Sequence, residues 1–137
     1  MSRFIPLDTC ALTWVLNSDQ HRRDAEAALL EAAETPGQFV ISPISAWEVG
    51  QLVAKRRIKP VADPLSWFQE ALSDGMVLAS MPPSVLIAAS FLPSSELRDP
   101  AARSLAATAR TFGYRLMTRD RPLLDFAVEG HLQAIAC

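Results

Sequence analysis

The chain has 137 residues, half of them hydrophobic, which is enough for one domain with one core. Thirteen Lys and Arg against fifteen Asp and Glu leave a net charge of -2, which excludes a protein that blankets DNA or a membrane by charge alone; any nucleic-acid contact must be local. Cys10 and Cys137, far apart and outside any CxxC, exclude a disulfide scaffold or zinc knuckle and fit a reducing compartment, the cytosol by default.

The apolar character of residues 1–16 is interrupted by Asp8 and has neither a basic leading region nor an Ala-x-Ala cleavage site, so no signal peptide is expected. No uninterrupted apolar run reaches the length of a membrane span. Without an internal repeat or a Gly/Ser linker, residues 1–137 are expected to form a single domain.

Short apolar runs rich in β-formers alternate with stretches of helical period, the pattern of an α/β fold with a parallel sheet. Phe4-Ile5-Pro6-Leu7 predicts the first strand, and Pro6, lacking an N–H, suggests a strand near a sheet edge or with one unpaired position. Cys10–Leu16 predicts a short helix capped by Asp8 or Thr9. The stripe of Ala25, Ala28, Leu29 and Ala32 predicts an amphipathic helix over 21–33, followed by a Pro36-Gly37 turn. Phe39-Val40-Ile41 is the second strand; Ser42-Pro43 opens a helix over 44–54 that carries Trp47 and Glu48, and Lys55-Arg56-Arg57 closes it. Asp63-Pro64 opens a helix with Leu65, Phe68 and Leu72 on one side, residues 76–79 form the third strand, and Pro82-Pro83 begins a helix to about Phe91. Residues 60–97 hold four acids and no Lys or Arg, a poor phosphate surface and a better protein contact. Asp99-Pro100 starts a long helix ended by Gly113. Residues 115–117 are the fourth strand, with Thr118-Arg119-Asp120 just past its end, and residues 132–135 a fifth.

Four carboxylates occupy comparable places: Asp8 after the first strand, Glu48 in the helix after the second, Asp99 at the start of the late helix and Asp120 after the fourth strand. In open parallel sheets the binding crevice lies beyond the carboxyl ends of the strands, so all four are expected to meet there. Each alone has capping as its ordinary role. Together they repel, by about 4 kcal/mol for two charges ~4 Å apart at an effective dielectric of ~20, and a divalent cation relieves that repulsion. With His21 and His131 away from these acids, an oxygen-only set favours magnesium or manganese over zinc, and phosphodiester hydrolysis is the chemistry such a centre performs.

The segments Ile5–Thr9, Ile41–Val49, Asp99–Ala109 and Met117–Asp120 resemble, in order, the four motifs of PIN-domain proteins, most nearly those of VapC-type toxins of bacterial type II toxin–antitoxin pairs. The resemblance covers nearly the whole chain. It implies a PIN-like α/β fold, a four- to five-stranded parallel sheet flanked by helices on both faces. It also implies a cytoplasmic, Mg2+- or Mn2+-dependent endoribonuclease that cuts tRNA or ribosomal RNA. Its expected partners are a cognate VapB-type antitoxin and a second copy of the chain, in a homodimer or a toxin–antitoxin hetero-oligomer. By position, Asp8, Glu48 and Asp120 match the metal ligands, and with Asp99 they make the catalytic set. The family usually reads Asp-Pro-x-Asp-Arg in the late helix, with the second Asp at the metal; here that position is Ala102. The departure implies weakened or lost cleavage and lower metal occupancy. It leaves as the alternative a catalytically inactive PIN-domain protein that binds an antitoxin. A phospho-receiver domain would need a Lys after the fifth strand and a paired acid, and neither stands near Leu132–Ile135.

Around the acids, Thr9, Ser45 and Thr118 are candidates to orient a carboxylate, a metal-bound water or an RNA phosphate, with capping as the competing role. Ser42 reads as a helix cap. Arg119 and Arg121 bracket Asp120 and suit substrate phosphate, Arg103 flanks the late-helix acid, and Lys55, Arg56, Arg57 and Lys59 form the densest basic patch. Trp47, Met76, Phe91, Phe112 and Phe126 are expected in the core.

Overall fold

In the computed structural model, which describes residues 4–12, 39–57, 63–73, 75–93 and 96–137, five strands form one all-parallel sheet. They are β1 (Ile5–Leu7), β2 (Phe39–Ile41), β3 (Val77–Leu78), β4 (Arg115–Thr118) and β5 (Gln133–Ala136), in the order β3-β2-β1-β4-β5. Besides a helical stretch at residues 9–12, five helices accompany them among these residues: α1 (Pro43–Ala54), α2 (Pro64–Ser73), α3 (Pro83–Ala89), α4 (Pro100–Phe112) and α5 (Arg121–Val128). The predicted helix over 21–33, the Pro36-Gly37 turn and Lys59 lie outside the described residues. Of the first helix, residues 9–12 are described and are helical.

Local chemistry sets most helix starts. Ser42 accepts the Ile44 N–H at 3.1 Å, with Pro43 as the first helical residue of α1. Asp99 accepts the Ala102 N–H at 3.0 Å ahead of Pro100, and Asp63 does the same for Ser66 at 3.0 Å. Gly113, at φ 71, ends α4 in the left-handed conformation that a side chain would strain.

Of the two expectations for Pro6, the unpaired position holds and the edge does not: β1 lies between β2 and β4. Three residues of β1 pair in register with β2, whereas its register with β4 is Leu7 opposite Met117. Asp8 donates its N–H to the Met117 carbonyl at 3.1 Å, and Pro6, two residues earlier, faces the same way. The proline therefore removes one bond from one side of a very short strand. Flanking pairs on both sides hold the strand in place.

Alternation along the strands divides the core. Ile5, Leu7, Ile41 and Met117 pack with Ala11, Leu12, Phe68 and Ala71 on one face. Leu116 packs with Ala102, Leu105, Ala106, Leu123 and Phe126 on the other. Residues 9–12 and α2 thus cover one face, and α4 and α5 the other.

The side chains expected inside divide as well. Phe126 is buried and Met76 half-buried against the core, but Trp47, Phe91 and Phe112 are exposed, as is Leu65. Trp47 follows Ala46 on the outer side of α1, while the helix buries its small Ser45 and Val49. The third helix ends at Ala89, leaving Phe91 in the turn beyond it. No described helix is long and apolar enough to cross a membrane.

Candidate active site

The chain runs from β1 to β2 and β3 on one side, then returns to β4 on the other side of β1. The reversal opens a crevice at the carboxyl ends of β1 and β4, where parallel sheets bind ligands. A cavity of about 60 Å³ lies there, lined by Asp8, Thr9, Cys10, Glu48, Asp99, Ala102, Leu105, Asp120 and Leu123. All four expected carboxylates border it, each delivered by a different element.

Asp8 leaves β1 with its side chain buried. Its Oδ1 accepts the Ala11 N–H at 2.7 Å, which starts the helical turn over 9–12, and its Oδ2 accepts the Thr118 hydroxyl from the end of β4. Burial pushes its carboxyl up to about 6 from an ordinary 3.8; the two hydrogen bonds pull the other way, and Asp120 adds repulsion that Arg119 offsets. Thr118 in turn accepts the Asp120 backbone N–H at 3.0 Å, so one hydroxyl links both acids of the crevice. It is the last residue of β4, inside the strand, and its position there aims the hydroxyl at Asp8.

Glu48 is held from the other side. Thr9 Oγ1 lies 2.5 Å from Glu48 Oε1 and 3.2 Å from Ser45 Oγ. A threonine hydroxyl has one proton, so Thr9 gives it to the carboxylate and accepts from Ser45. Ser45 is fully buried one turn before Glu48. Burial raises the Glu48 carboxyl, the Thr9 bond opposes that, and Asp99, Asp8 and Asp120 raise it further in that order.

Asp99 and Asp120 each cap a helix. Asp120 accepts the Leu123 N–H at 3.2 Å and opens α5, a helix the sequence reading passed over. Asp120 followed two residues later by Pro122 was the signal for it, and with α5 comes Leu123, an apolar part of the cavity wall. Cys10, two residues beyond Asp8, and Leu105 of α4 are the other wall residues not expected at the site. Arg119 is exposed beside the crevice, and Ala102 stands in the wall where a longer side chain would enter the cavity.

Among the described residues no three His, Cys, Asp or Glu side chains stand as a ready-made metal cage. Each of the four carboxylates already has an oxygen engaged by an N–H or a hydroxyl. The donor chemistry nevertheless fits a hard divalent cation: the oxygens come from four carboxylates around one small cavity, and two of these are raised by burial and by mutual repulsion that positive charge would relieve.

Comparison with known proteins agrees with this architecture. The family model for the PIN domain matches residues 5–129. Ribonuclease VapC22 of Mycobacterium tuberculosis is 38% identical over 96 residues, which are 70% of this chain and 73% of that protein. Among solved structures, VapBC2 from Rickettsia felis bound to a DNA fragment from their promoter matches with a TM-score of 0.69 at 17% identity, over 97% of this chain and 98% of that one. A toxin–antitoxin complex from Klebsiella pneumoniae matches with a TM-score of 0.60 at 23% identity, over 93% and 94%. At those identities the two structures speak for the fold.

Proposed function

This chain belongs to the PIN-domain family, and from that premise we propose that it is the VapC-type toxin of a toxin–antitoxin pair, an endoribonuclease that uses Mg2+ or Mn2+. The observation that carries the reading is the convergence of Asp8, Glu48, Asp99 and Asp120 on one small cavity at the crevice of a parallel sheet. The ribonuclease relative supports RNA as the substrate, with tRNA or ribosomal RNA as the class.

Asp8, Glu48 and Asp120 would hold the ion. When bound it supplies Lewis acidity toward a phosphoryl oxygen and lowers the pKa of a water. The protein's own share is positioning. Thr118 fixes Asp8 and Thr9 fixes Glu48, so neither carboxylate is free to swing out to solvent. Each carboxylate oxygen can accept more than one bond, so these hydroxyls leave acceptor capacity for the cavity. A void of about 60 Å³ admits an ion and water but not a nucleotide. The RNA backbone must therefore lie across its mouth, where exposed Arg119 offers a cation to a phosphate.

A cognate VapB-type antitoxin, with assembly as a homodimer or toxin–antitoxin hetero-oligomer in the cytoplasm, completes the proposal. It is supported by the VapC relative and by the toxin–antitoxin complexes that share the fold. Ala102 favours a second reading, an antitoxin-binding protein without turnover. Incubating purified chain with total RNA in Mg2+, in Mn2+ and in EDTA separates the two: discrete cuts in either metal that EDTA abolishes support the enzyme. Intact RNA in every condition, with an antitoxin bound, supports the alternative.

A further inference from the structure

Of the four acids, Asp99 is the one whose cap reaches into the turn that Ala102 occupies. Its Oδ2 lies 3.0 Å from the Ala102 N, which draws the carboxylate back over the first turn of α4. Asp99 and Ala102 both line the cavity shared by Asp8, Glu48 and Asp120. Ala102 is buried with a bare methyl there, so its own side chain contributes no oxygen and takes little of the space.

We infer that Asp99 is the fourth acid of the centre, its carboxylate filling from three residues upstream the place left without one at Ala102. This rests on the metal-dependent reading above and deepens it. Three features support the assignment. The cap commits one carboxylate oxygen and leaves the other as an acceptor. The segment before α4 is pinned: Arg103, one residue past Ala102, donates from Nε to the Ala89 carbonyl at 2.7 Å and from Nη1 to the Leu97 carbonyl at 2.6 Å. The start of the helix therefore has little freedom to carry Asp99 away. Finally, Asp99 borders the same small cavity as Asp8, Glu48 and Asp120. A cap at the edge of the crevice is thus also a charge inside it. On this view the chain keeps a complete set of acids, and the alanine marks a relocation of one of them.

Mn2+ affinity of the metal-free chain, measured by calorimetry or by loss of the free-ion electron paramagnetic resonance signal, tests this without an activity assay. Asn caps helices about as well as Asp, so Asp99→Asn should keep its thermal midpoint while its Mn2+ affinity falls about tenfold or more. Adding Ala102→Asp to that variant should restore affinity to within about threefold of the original chain. Ala102→Asp alone should gain clearly less, because two acids serving one place are not additive. An unchanged affinity in Asp99→Asn, or an equal gain from Ala102→Asp in both backgrounds, overturns the assignment and leaves the metal-dependent reading intact. Failure of the original chain to bind Mn2+ at all overturns both.

Discussion

The two ends of the sheet carry cavities of opposite character. At the amino ends of β4 and β5 a void of about 320 Å³ is lined by Arg110, Gly113, Tyr114, His131 and Gln133, among others. At the carboxyl ends the void is about 60 Å³ and its wall holds four carboxylates. Size alone would select the first as the functional site. Its one full positive charge is engaged, however: Arg110 donates to the His131 carbonyl at 2.7 Å and its guanidinium sits 5.9 Å from the Phe126 ring centre. The smaller cavity gathers like charges that the fold stabilises only in part. A chemical site is marked by electrostatic work left for a ligand to complete, and a volume does not measure that work.

The sharpest way to break this contrast is Asp8→Asn. The amide is nearly isosteric and retains an acceptor, so the fold should survive, while RNA cleavage in Mg2+ should fall about a thousandfold, equivalent to ~4 kcal/mol of barrier. Cleavage within tenfold of the original chain would mean that the small cavity is not where the chemistry occurs.

The same variant should be the more stable protein when metal is absent. Asp8 is raised from 3.8 to about 6 on folding, so its burial costs nothing at pH values below 3.8, where the acid is neutral in both states. Stability is lost as the pH climbs through about 6, by up to about 3 kcal/mol, because the unfolded chain ionises more readily. Urea melts in EDTA should therefore show Asp8→Asn ahead at pH 7.5, with the lead gone by pH 4. Glu48, raised in the same direction, steepens the slope in both proteins. An equal gap at both pH values would contradict the cause given for the shift.

Thr9→Val should have a smaller effect. It removes the proton that Glu48 accepts and strands the buried Ser45 hydroxyl, and a tenfold loss of cleavage is expected, with Thr9→Ser restoring most of it. A loss equal in Val and Ser would assign Thr9 to packing. This contact also shows what was legible from sequence. Phe39–Ile41 and the Ser42 and Asp99 caps followed from local spacing, because each depends on neighbours within a few residues, and the meeting of the four acids followed from their places at strand ends and helix starts of a parallel sheet. The bond from Thr118 to Asp8, separated by 110 residues, depends on β4 lying beside β1, which no local pattern encodes. Pro6 left an edge strand and a single unpaired position both open for the same reason, since the choice depends on what flanks the strand. Trp47 misled because α1 turns its small residues inward, and α5 was overlooked because eight residues bearing a Pro and two charges look like a loop.

The smallest expected effect lies at the other end of the molecule. Arg110→Ala removes the bond to the His131 carbonyl and the contact over Phe126, both at a largely exposed position. About 1 kcal/mol of stability should go with them, a few degrees of thermal midpoint. The strands separate this arginine from the acids, so cleavage measured below the melting range should stay within twofold of the original chain. A loss as large as that of Thr9→Val, with Mn2+ affinity unchanged, would mean that RNA extends to the larger cavity. The contrast would then be between a reactive end and a binding end, both of them functional.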